Sequence, residues 1–119
     1  MIEESTVCQH FQRAAELLGR RWNPQLVRAM LAGATRFSDL TTAIPGLSDH
    51  VLSERLKELE ATGIVTRTVT PTTPVRIEYS LTDAGKDLAG VMGELATWAE
   101  RWATTPPVGA GAGRDQPAR

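Results

Sequence analysis

Apolar side chains return every three or four residues along most of this chain, and alternate with polar ones only between Ile64 and Leu81. The first spacing belongs to helices with one buried stripe, the second to strands with one buried face. Val7, Phe11, Ala14, Ala15 and Leu18 share a face, which predicts a helix over Val7–Gly19 closed by Gly19. Trp22 then precedes Asn23-Pro24, a cap followed by a proline suited to a first helical turn. A second helix follows over Pro24–Ala32, with Leu26, Val27, Met30 and Leu31 inward and Trp22 as a core anchor between the two helices. After the extended Thr35-Arg36-Phe37, a brief helix over Ser38–Ile44 buries Leu40, Ala43 and Ile44.

Pro45-Gly46 makes a tight turn into Leu47–Gly63, the stretch around which the rest is organised. Ser48 is a good N-cap, Asp49 suits the positive helix end and Gly63 is a terminator. Val51, Leu52, Arg55, Leu56 and Leu59 form one stripe, while Asp49, His50, Ser53, Glu54, Lys57 and Glu58 make a polar outer face. Two short helices joined by such a turn form a helix-turn-helix pattern. Ile64–Thr70 and Val75–Leu81 read as strands around the turn Pro71-Thr72-Thr73-Pro74, a hairpin directly behind that pattern. Thr82-Asp83 caps a last helix over Asp83–Trp102, whose apolar face runs through Ala84, Leu88, Val91, Met92, Leu95, Trp98, Ala99 and Trp102. Its Gly85, Gly90 and Gly93 each weaken it by about 1 kcal/mol against alanine, which points to close packing there. The expected division is a flexible N-terminus over 1–6, one folded domain over 7–104 and a disordered Pro/Gly/Ala-rich tail over 105–119.

Composition changes this picture little. A chain of 119 residues has room for one core, and its formal net charge of −1 argues against a protein that coats nucleic acid. Specific binding needs only a few well-placed cations. No apolar run approaches the roughly 18 residues of a membrane span, and Glu3 and Glu4 have the wrong sign for a signal peptide, so a cytoplasmic location is expected. A lone cysteine, Cys8, forms no internal disulfide and fits a reducing compartment. Cys8-x-His10 lacks a third metal ligand, and His10 and His50 have no nucleophile or carboxylate pair around them. No metal, no cofactor and no catalytic residue is expected.

The order helix, helix, short helix, polar-faced helix, hairpin, helix is that of a winged helix-turn-helix, an α+β and mainly α fold. Over about Cys8 to Trp102 the chain resembles the HxlR-type, MarR-like bacterial transcriptional regulators. The match rests on Cys8, Leu17-Leu18-Gly19-Arg20-Arg21-Trp22, Arg36-Phe37-Ser38-Asp39-Leu40 and Ile44-Pro45-Gly46-Leu47-Ser48. It continues through the run from Val51 to Glu60, Gly63-Ile64-Val65, the run from Val75 to Thr82, and Gly85. Asn23-Pro24 and Asp49-His50 depart from the pattern, so a relative's base preference does not transfer.

The resemblance implies a sequence-specific regulator, read as a repressor, that binds double-stranded DNA. Residues near the start of the recognition helix enter the major groove, so Ser48, Asp49, His50, Ser53 and Glu54 are the base-reading candidates. Asp49 and Glu54 suit a cytosine amino group, and His50 suits a purine N7. Arg36, Ser38, Arg55 and Lys57 are the phosphate candidates; a DNA-facing role for Arg55 is implied by the resemblance, with a structural ion pair as its alternative. In the wing, Arg67, Thr72, Thr73 and Arg76 suit the sugar-phosphate edge or the minor groove.

One such domain reads few base pairs. A homodimer with recognition helices roughly 34 Å apart would read a palindrome. The apolar faces of the first and last helices exceed what a small core needs, which puts Val7, Phe11, Leu88, Met92, Leu95, Trp98 and Trp102 at the dimer interface as N- and C-terminal dimerisation helices. Cys8 falls in the first turn of its predicted helix, where the dipole favours thiolate. The resemblance makes it a candidate sensor of quinones, aldehydes or oxidants, any disulfide joining Cys8 to its copy in the partner; the alternative is a small buried interface residue. An effector of that electrophile class is thus a candidate partner, whereas a membrane is not. The rival to DNA binding is a winged-helix protein-interaction module that never touches DNA.

Overall fold

The computed structural model describes residues 4–103, with side chains from Cys8 onward. The expected flexible ends thus fall largely on residues outside those described, as does the side chain of Val7. The elements run α1 (Glu4–Gly19), α2 (Asn23–Leu31), α3 (Phe37–Ala43), α4 (Asp49–Ala61), β1 (Val65–Thr70), β2 (Arg76–Leu81), α5 (Asp83–Lys86) and α6 (Leu88–Trp102). The chain divides into two units after Ala89. The first holds α1 to α5 and the hairpin; the second begins within α6.

The core of the first unit follows the predicted stripes of α2, α3 and α4, except that Ala43, expected inside, is exposed. Leu26, Val27 and Met30 of α2 are buried, with Leu40 and Ile44 from α3 and its end, Leu47, Leu52, Leu56 and Leu59 around α4, and Ile64 and Val65 leading into the hairpin. Asn23 is buried too, and its Nδ2 donates to the Leu17 carbonyl at 2.8 Å, fastening the end of α1 to the start of α2. The strands pair antiparallel, from Val65 opposite Leu81 to Thr70 opposite Arg76. The Tyr79 N–H donates to the Thr35 carbonyl at 2.8 Å, so the extended link before α3 lies against β2. This is the winged helix-turn-helix expected from the pattern.

The structure corrects several expectations. α1 starts at Glu4, three residues before the predicted Val7. Cys8 therefore lies beyond its first turn rather than in it, past the reach of the helix-end dipole, which decays within one turn. Trp22 is half-buried rather than a core anchor; it caps α2 in the left-handed conformation at φ 81°. The last helix is two, α5 and α6, interrupted at Asp87, where Gly85 and Asp87 lower helix propensity. Among the described residues, Gly85 shows the expected close packing, where a Cβ would stand 2.5 Å from the Ile64 carbonyl oxygen, while nothing lies within 4 Å of a Cβ at Gly90 or Gly93. Most of the apolar stripes of α1 and α6 stay exposed, with Phe11 at 72% and Trp102 at 68%, while Met92 is buried.

Candidate nucleic-acid interface

Helix α4 owes its start to Ser48, whose backbone is extended and whose Oγ accepts from the Val51 N–H at 3.2 Å. That bond satisfies one of the free N–H groups of the first turn and fixes where the helix begins. With Leu52, Leu56 and Leu59 locked inward, Ser48, Asp49, His50, Glu54 and Lys57 are exposed on the outer side and Ser53 is half-buried. Among the described residues the side chains of Asp49, His50, Glu54 and Lys57 make no hydrogen bond or ion pair. They are available to an external partner.

Arg55, expected on phosphate, is engaged inside the protein. Its side chain is only 14% exposed; Nε donates to the Arg21 carbonyl at 3.0 Å and Nη1 lies 3.6 Å from Glu58 Oε2. Glu58, expected on the outer face, instead receives Arg20 in a two-pronged contact, Nε to Oε1 at 3.1 Å and Nη2 to Oε2 at 3.0 Å. The bond from Arg20 holds the Glu58 carboxyl below its usual range, with the charges of Arg20 and Arg55 adding and partial burial opposing; Arg20 is raised in turn. This pair of arginines seats α4 on the α1–α2 corner. Sequence reasoning missed Arg20 and Arg21 because 38 residues separate Arg20 from Glu58 and no spacing signal links them.

Arg36 and Ser38 stand at the start of α3. Asp39 Oδ2 accepts from the N–H groups of Thr35 at 3.2 Å and Arg36 at 3.0 Å, closing that helix end and leaving the Arg36 side chain pointing toward the hairpin. In the wing, Arg67, Thr72, Thr73 and Arg76 are all exposed, and the Thr72 hydroxyl donates to the Pro74 carbonyl at 2.7 Å. A cleft of about 270 Å³ separates α4 from the hairpin, with Ser53, Lys57 and Glu60 on one wall and Arg67 and Tyr79 on the other. Recognition helix, α3 start and wing thus expose the predicted cations, Arg55 excepted. Among the described residues no group of three or more His, Cys, Asp or Glu side chains is placed to hold a metal ion.

Comparison with known proteins agrees with this geometry. The profile of the family described as HxlR-like helix-turn-helix matches residues 17–106. The HTH-type transcriptional regulator YvaP of Bacillus subtilis is 52% identical over 101 residues, 85% of this chain and 94% of that protein. YodB, another HTH-type transcriptional regulator of Bacillus subtilis, is 42% identical over 98 residues, covering 82% and 88%. The solved structure of its reduced form superposes with a TM-score of 0.73 over 80% of this chain and 93% of that one, and diamide-treated and quinone-bound forms also match, at 0.66 and 0.69. The redox regulator HypR in its oxidised form, 30% identical, reaches 0.73 over 81% and 97%. A capped helix with an open polar face, a wing beside it, and a profile that covers most of the sequence lead to one assignment: the chain belongs to the HxlR-like helix-turn-helix family and is a winged-helix transcriptional regulator, not an enzyme.

Proposed function

We propose that the protein works as a homodimeric repressor on a palindromic operator, inserting α4 of each protomer into the major groove. The observation that carries this reading is the outer face of α4, where the side chains of Asp49, His50 and Glu54 have no partner among the described residues and, with the capping hydroxyl of Ser48, present hydrogen-bonding groups at the end that enters a groove. Ser53 at the cleft supports them. Arg36, Ser38 and Lys57 take phosphates, and Arg67, Thr72, Thr73 and Arg76 follow the adjacent backbone or minor groove. Arg55 positions α4 from within. The exposed Phe11 in the first unit and the exposed Leu95, Trp98 and Trp102 in the second each offer apolar surface for a second copy to cover, and Leu88 is half-buried.

The test is a labelled fragment from upstream of its own or the neighbouring gene. The wild type shifts it at nanomolar protein, and His50→Ala loses about 1–3 kcal/mol of discrimination against a changed half-site base. A protein that shifts no fragment is the interaction module instead.

Cys8 is exposed and is the sensor in this reading. Its sulfur adds to an electron-poor quinone carbon; the thiol proton goes to one quinone oxygen and the proton of the attacked carbon shifts to the other, which leaves a hydroquinone joined to Cys8 by a thioether. That the relative YodB has a quinone-bound structure supports a quinone as the effector class. Quinone releases the wild type from DNA and leaves Cys8→Ser bound; an unaltered Cys8→Ser response removes the sensor role but not the DNA reading.

A further inference from the structure

The start of α3 and the wing meet at a carboxylate. The backbone bond from Tyr79 to Thr35 holds Arg36 beside β2, and residues 76 and 78 share one face of that strand by the two-residue period. Arg36 Nε and Arg76 Nη1 each lie 3.8 Å from the same atom, Glu78 Oε2. Charge-assisted hydrogen bonds run at about 2.7–2.9 Å, so neither contact is a closed bond. All three side chains are close to half exposed, and they line an open groove of about 560 Å³ with Thr70, Thr72 and Pro74. Two cations from separate elements therefore converge on one anionic oxygen that neither grips.

We propose that this is a single DNA-phosphate site shared by α3 and the wing, held in the free protein by Glu78 as a built-in stand-in for the phosphate. The inference rests on the DNA-reading assignment above. A backbone phosphate displaces the carboxylate and bridges Arg36 and Arg76, which couples wing placement to docking of the helix-turn-helix. Glu78 then acts as a threshold. It neutralises both cations until a duplex offers a phosphate at the right place, and it lowers affinity for duplexes that bind out of register.

The experiment compares an operator fragment and an unrelated duplex across a salt series, for the wild type, Glu78→Gln, Arg36→Ala/Arg76→Ala, and the triple variant. Glu78→Gln is expected to tighten both duplexes by about tenfold, the unrelated one more, and to steepen the salt dependence by about one unit in log–log slope. In the Arg36→Ala/Arg76→Ala background the same change gains nothing. Weaker or unchanged binding by Glu78→Gln overturns the proposal, since the carboxylate would then be orienting the arginines. A gain that persists without the two arginines overturns it as well, leaving only long-range repulsion. If the wild type binds no duplex even at low salt, the DNA-reading assignment itself falls, an outcome visible without any variant.

Discussion

Gly85 shows how one missing carbon supports the joint between wing and helices. A Cβ there would meet the Ile64 carbonyl oxygen at 2.5 Å and Leu81 Cδ2 at 2.9 Å, and the first of these is backbone that cannot swing away. The same corner is tied by Thr82, whose N–H donates to the Ile64 carbonyl, whose hydroxyl donates to Gly63, and whose oxygen accepts from Gly85 N–H at 3.2 Å. Gly85→Ala is expected to destabilise by about 1–3 kcal/mol in thermal melts, as overpacking does. Gly93→Ala, with nothing within 4 Å, should gain up to about 1 kcal/mol of helix propensity instead. The sequence marked all the glycines of that region alike, because composition shows a missing side chain but not the atom facing it.

At the scale of elements, α4 was legible because its determinants are local. The Ser48 cap, the leucine stripe and the Gly63 stop lie within one run of chain, and Gly63 is indeed left-handed at φ 81°. The hairpin was legible for the same reason, since alternation and β-branching report directly on a pleated surface. What holds α4 in place was not legible. Glu58 is drawn from the outer face toward Arg20, and Arg55 bonds the Arg21 carbonyl across 34 residues of sequence. Because the Glu58 pKa is lowered on folding, its contribution is full above the ordinary carboxylate value of 4.5 and is lost as pH falls through the lowered one. Below that value the difference in melting temperature between wild type and Glu58→Gln is expected to close. The difference should also shrink in high salt, as for other half-exposed ion pairs.

At the scale of the whole molecule, each unit carries exposed apolar surface that a solitary chain gains nothing by displaying. Phe11 on α1 is 72% exposed, and Val91, Leu95, Trp98 and Trp102 on α6 are about half exposed or more. Wild type is expected to sediment as a dimer at micromolar concentration, and Phe11→Glu or Trp98→Glu as a monomer. Losing the second half-site should cost such variants about a hundredfold or more in operator affinity, since the linked contacts act together. A dimeric Trp98→Glu would remove α6 from the interface. Trp22 gives the molecule an intrinsic optical gauge. Its ring edge reaches to 3.8 Å from where a Cβ on Gly46 would stand, the Arg21 guanidinium lies 4.8 Å from its centroid, and the carbonyl just before it receives Arg55. With Trp98 and Trp102 replaced by phenylalanine, the remaining tryptophan, excited selectively, reports in real time on whether the recognition helix keeps its seat as DNA arrives.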